Sequence, residues 1–137
     1  MPIELLKVDY FYVEVSSASG QSAPILAGLR DAGINLLAFS GFPSGRKAQL
    51  DFVPEDSAKF KAAAKKMKLK LSAKKIGFLL RGDDRVGALT ELLEKVAAAK
   101  ISITALDAVT SGDGRFGAIF WVKSKDVAKT AKLLGAK

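Results

Sequence analysis

The hydrophobic residues change period several times along the chain, and each change marks an element. Residues 9–16 are rich in aromatic and β-branched side chains and predict a strand. A polar turn follows over Ser17-Ala18-Ser19-Gly20-Gln21. A helix is predicted over residues 22–32, with Ser22 as its cap and Ile25, Leu26 and Leu29 as its apolar stripe. Pro24 falls in the first turn, where its missing N–H costs little. Gly33 ends the helix in a left-handed conformation. Residues 34–40 predict a strand, 41–45 a turn and 47–53 the returning strand. A second helix is expected over residues 54–67 with Asp56 as cap, and the alternation at 68–72 predicts a short fourth strand.

The second half repeats this grammar. Residues 75–81 predict a strand and Gly82-Asp83-Asp84 a turn. Residues 85–100 carry Val86, Leu89, Leu92, Leu93 and Val96 at helical spacing. Glu91 and Lys95 stand four apart in the favoured order for an ion pair. Residues 101–109 and 115–123 form a hairpin around Ser111-Gly112-Asp113-Gly114, and residues 125–134 form a last helix.

A shift of 67 positions brings the halves into register. Ile25-Leu26 then falls on Leu92-Leu93, Leu29 on Val96, Ile34-Asn35-Leu36 on Ile101-Ser102-Ile103, and Ser44-Gly45 on Ser111-Gly112. A shift of 70 aligns residues 56–59 with 126–129. The expected fold is α+β: two ferredoxin-like βαββαβ units in tandem, at residues 1–72 and 73–137, with antiparallel sheets, helices on one face and the sheets joined side by side. The second copy runs out before its own fourth strand. An open sheet edge is usually covered, and Pro2–Lys7, the surplus ahead of the first strand, is the expected filler, either within the chain or in a partner chain.

Composition narrows the function. Among 137 residues, 49% are hydrophobic and Gly and Pro are not in excess, which is globular usage. No apolar run is long enough to cross a membrane. Residues 1–16 are broken by Glu4, Lys7, Asp9 and Glu14, unlike a signal peptide, so the expected location is the cytoplasm. The absence of Cys and His removes disulfides, thiol nucleophiles, imidazole bases and nearly every transition-metal site. Asp83, Asp84 and Arg85 are adjacent, but no nucleophile–base pair or nucleotide fingerprint accompanies them. A non-enzyme without a cofactor is the expectation. The net charge of +8 is spread, with 10 basic and 7 acidic residues in 1–70 and 12 and 7 in 71–137. It reads as a solvated Lys-rich helix surface or as attraction to an anionic partner.

Two short segments carry a family resemblance. Asp84-Arg85-Val86-Gly87-Ala88-Leu89 resembles the Asp-x-Pro-Gly-x-Leu turn that enters the first helix of an ACT domain, with Val86 in place of Pro. Gly33-Ile34-Asn35-Leu36 resembles the Gly-Ile-Asn-Ile segment that opens its second strand. The first copy lacks the Asp of the turn, having Ser17-Ala18-Ser19-Gly20, and the second has Ser102 where Asn is favoured. The resemblance covers nearly the whole chain as two copies. It implies a regulatory module that binds a small molecule, most often an amino acid, at an interface between units. The implied ligand residues are Asp83, Asp84, Arg85, Val86 and Gly87, with Asn35 facing that turn and Ser19, Gly20 and Gln21 forming a weaker reciprocal site. The ligand carboxylate is expected at Gly87, taken as the helix N-terminus. Gly87 is equally suited to tight packing, and Asn35 to bonding local backbone. The implied partners are a second copy of the chain and a regulated enzyme or transporter.

RNA binding is the rival reading. RNA-recognition motifs share the βαββαβ order, and Arg115-Phe116-Gly117-Ala118-Ile119-Phe120-Trp121 partly resembles their base-stacking strand. Ala118 stands where an aromatic is expected, and Phe116 and Phe120 fit a buried role as well.

Overall fold

The computed structural model describes residues 3–16 and 20–137, and its first strand begins well before the aromatic run. β1 spans Glu4–Ser16, α1 Ser22–Asp31, β2 Leu36–Ser44, β3 Lys47–Pro54 and α2 Ser57–Lys66. β4 (Lys75–Asp83), α3 (Thr90–Ala98), β5 (Ile103–Thr110), β6 (Arg115–Val122) and α4 (Val127–Leu134) repeat that order. The chain divides into two compact units: Asp9–Lys75, and Ile76–Lys137 together with the chain up to Val8. Both are ferredoxin-like, with an antiparallel sheet covered on one face by two helices. None of the described helices is long and apolar enough to cross a membrane.

In the first unit, β3 lies between β1 and β2. Phe11 stands opposite Phe52, and Phe39 opposite Phe52 on the other side. The helices add Ile25, Leu29, Phe60 and Ala63 to that face. Phe60 sits with its ring centre 5.4 Å from both Phe11 and Phe52. Such aromatic pairs contribute about 0.5–1.5 kcal/mol beyond their buried area. Asp56 caps α2 as expected, accepting from the Lys59 N–H at 3.1 Å. Ser22 is the first helical residue of α1 rather than its cap; Gln21 holds that place and makes no side-chain cap bond.

Two local expectations change. The hairpin is tighter than the run of turn residues at 41–45 predicts. Ser44 pairs with Lys47, so only Gly45-Arg46 turn, with Gly45 at φ +63°. β2 has a neighbour on one side only, and an edge strand accommodates Pro43. The alternating residues 68–72 form no regular strand. Ser72 instead donates its N–H to the Tyr12 carbonyl (2.9 Å) and accepts the Tyr12 N–H on its hydroxyl (3.0 Å). A side chain thus replaces one rung of the ladder. Leu69 and Leu71 nonetheless pack on the core. On the other face of β3, buried Asp51 accepts from Gln49 Nε2 at 2.8 Å. Burial pushes its carboxyl above the ordinary range, against the pull of Gln49 and Lys75.

In the second unit, β6 lies between β4 and β5, with Phe78 opposite Phe120 and Leu106 opposite Phe120. Residues 4–8 of β1 lie along the free side of β4, so the surplus N-terminal segment fills the vacant place. Leu5 joins Phe78, Leu80 and Phe120 in the core. Glu4 pairs with Arg81 at 3.5 Å. On the outer side of residues 4–8, the Lys7 N–H donates to the Lys137 carbonyl (3.3 Å) and the Lys137 N–H to that of Leu5 (3.2 Å). Pro2, at the start of the expected filler, lies outside the described residues.

The expected helix over residues 85–100 is shorter at its start. Residues 86–89 form a turn and α3 begins at Thr90. Gly87 at φ +71° accounts for this, since a left-handed residue cannot continue an α-helix. Glu91 and Lys95 make the expected pair at 4.0 Å.

Candidate ligand site at the turn after β4

The strand β4 runs two residues further than its apolar pattern, through Gly82 and Asp83, because that end is stapled to the β5–β6 hairpin. Asp83 accepts from Arg115 Nη1 at 3.0 Å, and the Asp84 N–H donates to the Gly114 carbonyl at 2.9 Å. The hairpin is braced in turn. Thr110 donates its hydroxyl to the Arg115 carbonyl (3.0 Å) and accepts from the Gly112 N–H (3.2 Å). The Arg115 N–H, and then the Ser111 hydroxyl, hold the Asp113 carboxyl below its usual range. Gly82 is required by packing: a methyl there would lie 2.8 Å from the Phe116 ring and 3.2 Å from Ile3.

Beyond Asp84 the chain turns on itself, with the Ala88 N–H bonded to the Arg85 carbonyl (3.1 Å) and the Thr90 N–H to that of Gly87 (3.0 Å). Leu89, at the N-cap of α3, has no polar side chain to offer the helix. A cavity of about 380 Å³ opens between this turn, Leu93 of α3 and residues 108–110 of β5, with Phe116 behind it. Asp84 and Arg85 are exposed at its rim. Val86 beside it is 100% exposed and Val109 in its lining 74% exposed, so two apolar side chains face solvent at this cavity. Among the described residues β5 has no strand on its outer side.

The expected site residues are therefore distributed as follows. Asp84, Arg85 and Gly87 line the cavity. Asp83 stands just behind it and is engaged by Arg115, so it anchors the turn. Gly87 is not the helix N-terminus; the positive end of the α3 dipole lies at Thr90. Asn35, in the first unit, donates its side-chain amide to Glu55 Oε2 at 3.0 Å, while its carbonyl accepts the Glu55 N–H at 3.0 Å. Its side chain thus bonds the Glu55 carboxylate rather than local backbone. Gly20 takes φ +82° ahead of α1, and Gln21 stands at the N-cap position of that helix without a side-chain bond. Ser19 lies outside the described residues. Thr90 directly follows the turn but does not belong to the motif, whereas Val109, Thr110 and Phe116 come from elements that sequence spacing does not bring to the turn.

Phe116 and Phe120 settle on the helix side of the sheet. Both are buried in the core, with Phe120 stacked on Phe78 at 5.1 Å. Neither presents a ring on which a base could stack.

No protein-family model matches the sequence, and no curated protein does. Solved structures match over nearly the whole chain. A protein from Bacteroides thetaiotaomicron superposes with a TM-score of 0.81 at 16% identity, over 96% of this chain and 88% of that one. The ligand-free regulatory subunit of aspartate kinase from Thermus thermophilus gives 0.63 at 10% identity, over 98% and 95%. Its counterpart from Thermus flavus gives 0.57 at 12%, over 98% and 94%.

The fold is ACT-like. In the ACT-like turn of the second unit, residues 83–89, Gly87 is left-handed and the acid ahead of it, Asp84, is exposed. In the first ACT-like unit, Gly33 is likewise left-handed, at φ +74°, and ends α1 before Asn35.

Proposed function

We propose that the chain is a non-enzymatic regulatory module that binds an amino acid at the turn after β4. The observation that carries this reading is the cavity at residues 84–90, rimmed by one exposed carboxylate and one exposed guanidinium. A zwitterion needs that pair of charges: Asp84 meets the ammonium and Arg85 the carboxylate, each through a charge-assisted hydrogen bond. Gly87 lets the ligand approach the backbone. Asp83, tied to Arg115, positions the turn, and Val86 borders the site. Gly20, Gln21 and Ser19 are a weaker second site, because the first unit has no acid in its turn. The regulatory subunits of aspartate kinase among the structural neighbours support a regulatory role. The partner regulated would be an enzyme or a transporter.

A homodimer belongs to the same reading. The open edge of β5 and the exposed Val86 and Val109 offer a second copy both main-chain hydrogen bonds and apolar contact. The expected location remains the cytoplasm.

The test is a thermal-shift screen against the twenty amino acids with a short mixed RNA as a parallel arm, followed by calorimetry on any hit. Ligand binding to the native state raises the melting temperature by mass action. One or a few amino acids should raise it. Asp84→Ala and Arg85→Ala should each weaken binding about tenfold to a hundredfold, the range for a lost charge-assisted bond. A flat amino-acid panel with a salt-sensitive RNA shift would replace the reading with RNA binding.

A further inference from the structure

The internal repeat allows one unit to be compared with the other. In the first unit, Gly28 occupies the middle of α1, where glycine is a weak helix former. Its reason is Met67: a methyl at Gly28 would stand 2.5 Å from the Met67 Cε and 2.9 Å from its sulfur. The thioether thus fills the notch between α1 and the end of α2, beside Leu69 and Leu71.

The same notch in the second unit is open. A shift of 67 carries Ile25 to Leu92 and Gly28 to Lys95, and a shift of 70 carries Ala63 and Ala64 to Leu133 and Leu134. Those four residues line a cavity of about 300 Å³. Ile3 and Leu5, from the segment that serves as fourth strand, wall the side that Leu69 and Leu71 cover in the first unit. Met67 falls on Lys137, whose backbone is engaged with β1. No side chain takes the thioether's place, and Leu133 remains 41% exposed.

The rim of this cavity carries two cations and one carboxylate, Arg85, Lys95 and Glu91. Arg85 lines it and, among the described residues, makes no ion pair or side-chain hydrogen bond. Lys95 meets only the exposed Glu91 at 4.0 Å, a pair that solvent screens. An apolar floor beneath a rim of net positive charge is complementary to an amphiphilic anion. We propose that this cavity binds a small carboxylate with a short branched apolar tail. The tail takes the position that Met67 holds in the first unit, and the carboxylate lies between Arg85 and Lys95. Leu92, Leu133 and Lys95 do not line the cavity at the turn, so the two sites are distinct, although Arg85 and Ala88 line both and ligands of the two sites compete for the Arg85 guanidinium.

The test is an amide NMR titration of the full chain with isocaproate, its alcohol analogue and acetate. Saturable shifts at Leu92, Lys95 and Leu133 are expected with isocaproate. Acetate, which lacks the tail, and the alcohol, which lacks the charge, should each bind at least tenfold more weakly. Leu133→Glu, at an exposed position, should lose isocaproate tenfold or more while amino-acid binding at the turn persists. Lys95→Glu provides the same readout should the first variant fail to fold. Silence with isocaproate, shifts confined to residues 84–90, equal affinity for acetate or for the alcohol, or unaltered binding by either variant would each overturn the proposal. Loss of amino-acid binding by Asp84→Ala leaves it standing, because Asp84 does not line this cavity.

Discussion

Gly87 offers a sharp test of how the turn is built. Its φ of +71° lies in the left-handed region, and an added Cβ would meet the Thr90 hydroxyl oxygen at 3.3 Å. An L-residue there costs about 1–2 kcal/mol in backbone conformation, most for a β-branched side chain. The contact with Thr90 adds a few tenths of an ångström of forced movement. Removing glycine also restricts the unfolded chain, which offsets about 0.4–1 kcal/mol. Gly87→Val should therefore destabilise the protein by about 1–2 kcal/mol, whereas Gly87→Asn should be near neutral because Asn tolerates the left-handed region. Urea midpoints for the wild type and both variants measure the difference. A Val variant as stable as the parent would refute the left-handed geometry. The pair also separates folding from binding. Asn keeps the turn but places a side chain over the backbone, so it should block a ligand that approaches the glycine while leaving the fold intact.

Two further outcomes follow from the same geometry. Lys100 holds φ +59° after α3, in the register position that Gly33 fills after α1, so Lys100→Gly should stabilise the protein by about 0.5–1 kcal/mol in urea denaturation. Burial raises the Asp51 pKa above its ordinary value of 3.8, so the folded state holds that proton longer than the unfolded chain does. The contribution is neutral below the unfolded pKa, and stability is lost as pH rises from there through the raised value. Asp51→Asn, which keeps the acceptor for Gln49, should be more stable than the parent at neutral pH and should lack that slope; parallel pH–stability curves would contradict it.

The repeat was legible because it recurs in apolar positions, and apolar positions make the core. Phe11 and Phe78, Leu29 and Val96, Ile25 and Leu92 keep their faces in both copies. The vacancy in the second sheet and its filler were legible for a related reason: an alternating segment with no partner of its own needs one. The start of α3 was misplaced by five residues because Val86 fits the helical period, while the backbone preference of Gly87 overrides periodicity. The hairpin at Gly45-Arg46 was drawn too wide because Gly41 and Pro43 look like turn residues, though both are compatible with an edge strand. At the site, the local motif located Asp84, Arg85 and Gly87. It could not locate Arg115 on Asp83 or Thr110 at the rim, because those contacts come from a hairpin some thirty residues away, set by the register of β4 against β6. The bond from Asn35 to Glu55 likewise depends on where β3 ends.

β1 also sets an order of events during synthesis. Residues 9–16 find β3 as soon as residue 54 has emerged, so the first unit closes over short loops while the ribosome is still at work. Residues 4–8 have no such early partner. Their neighbour β4 is complete only at residue 83, and the Lys137 backbone that covers their outer side follows later still. Until β4 has emerged, residues 4–8 are a naked strand carrying Leu5 and Val8. Its exposure lasts while about thirty residues beyond residue 54 appear, and that interval is when a nascent chain of this design is most open to chaperones or to pairing with a neighbour on the same message.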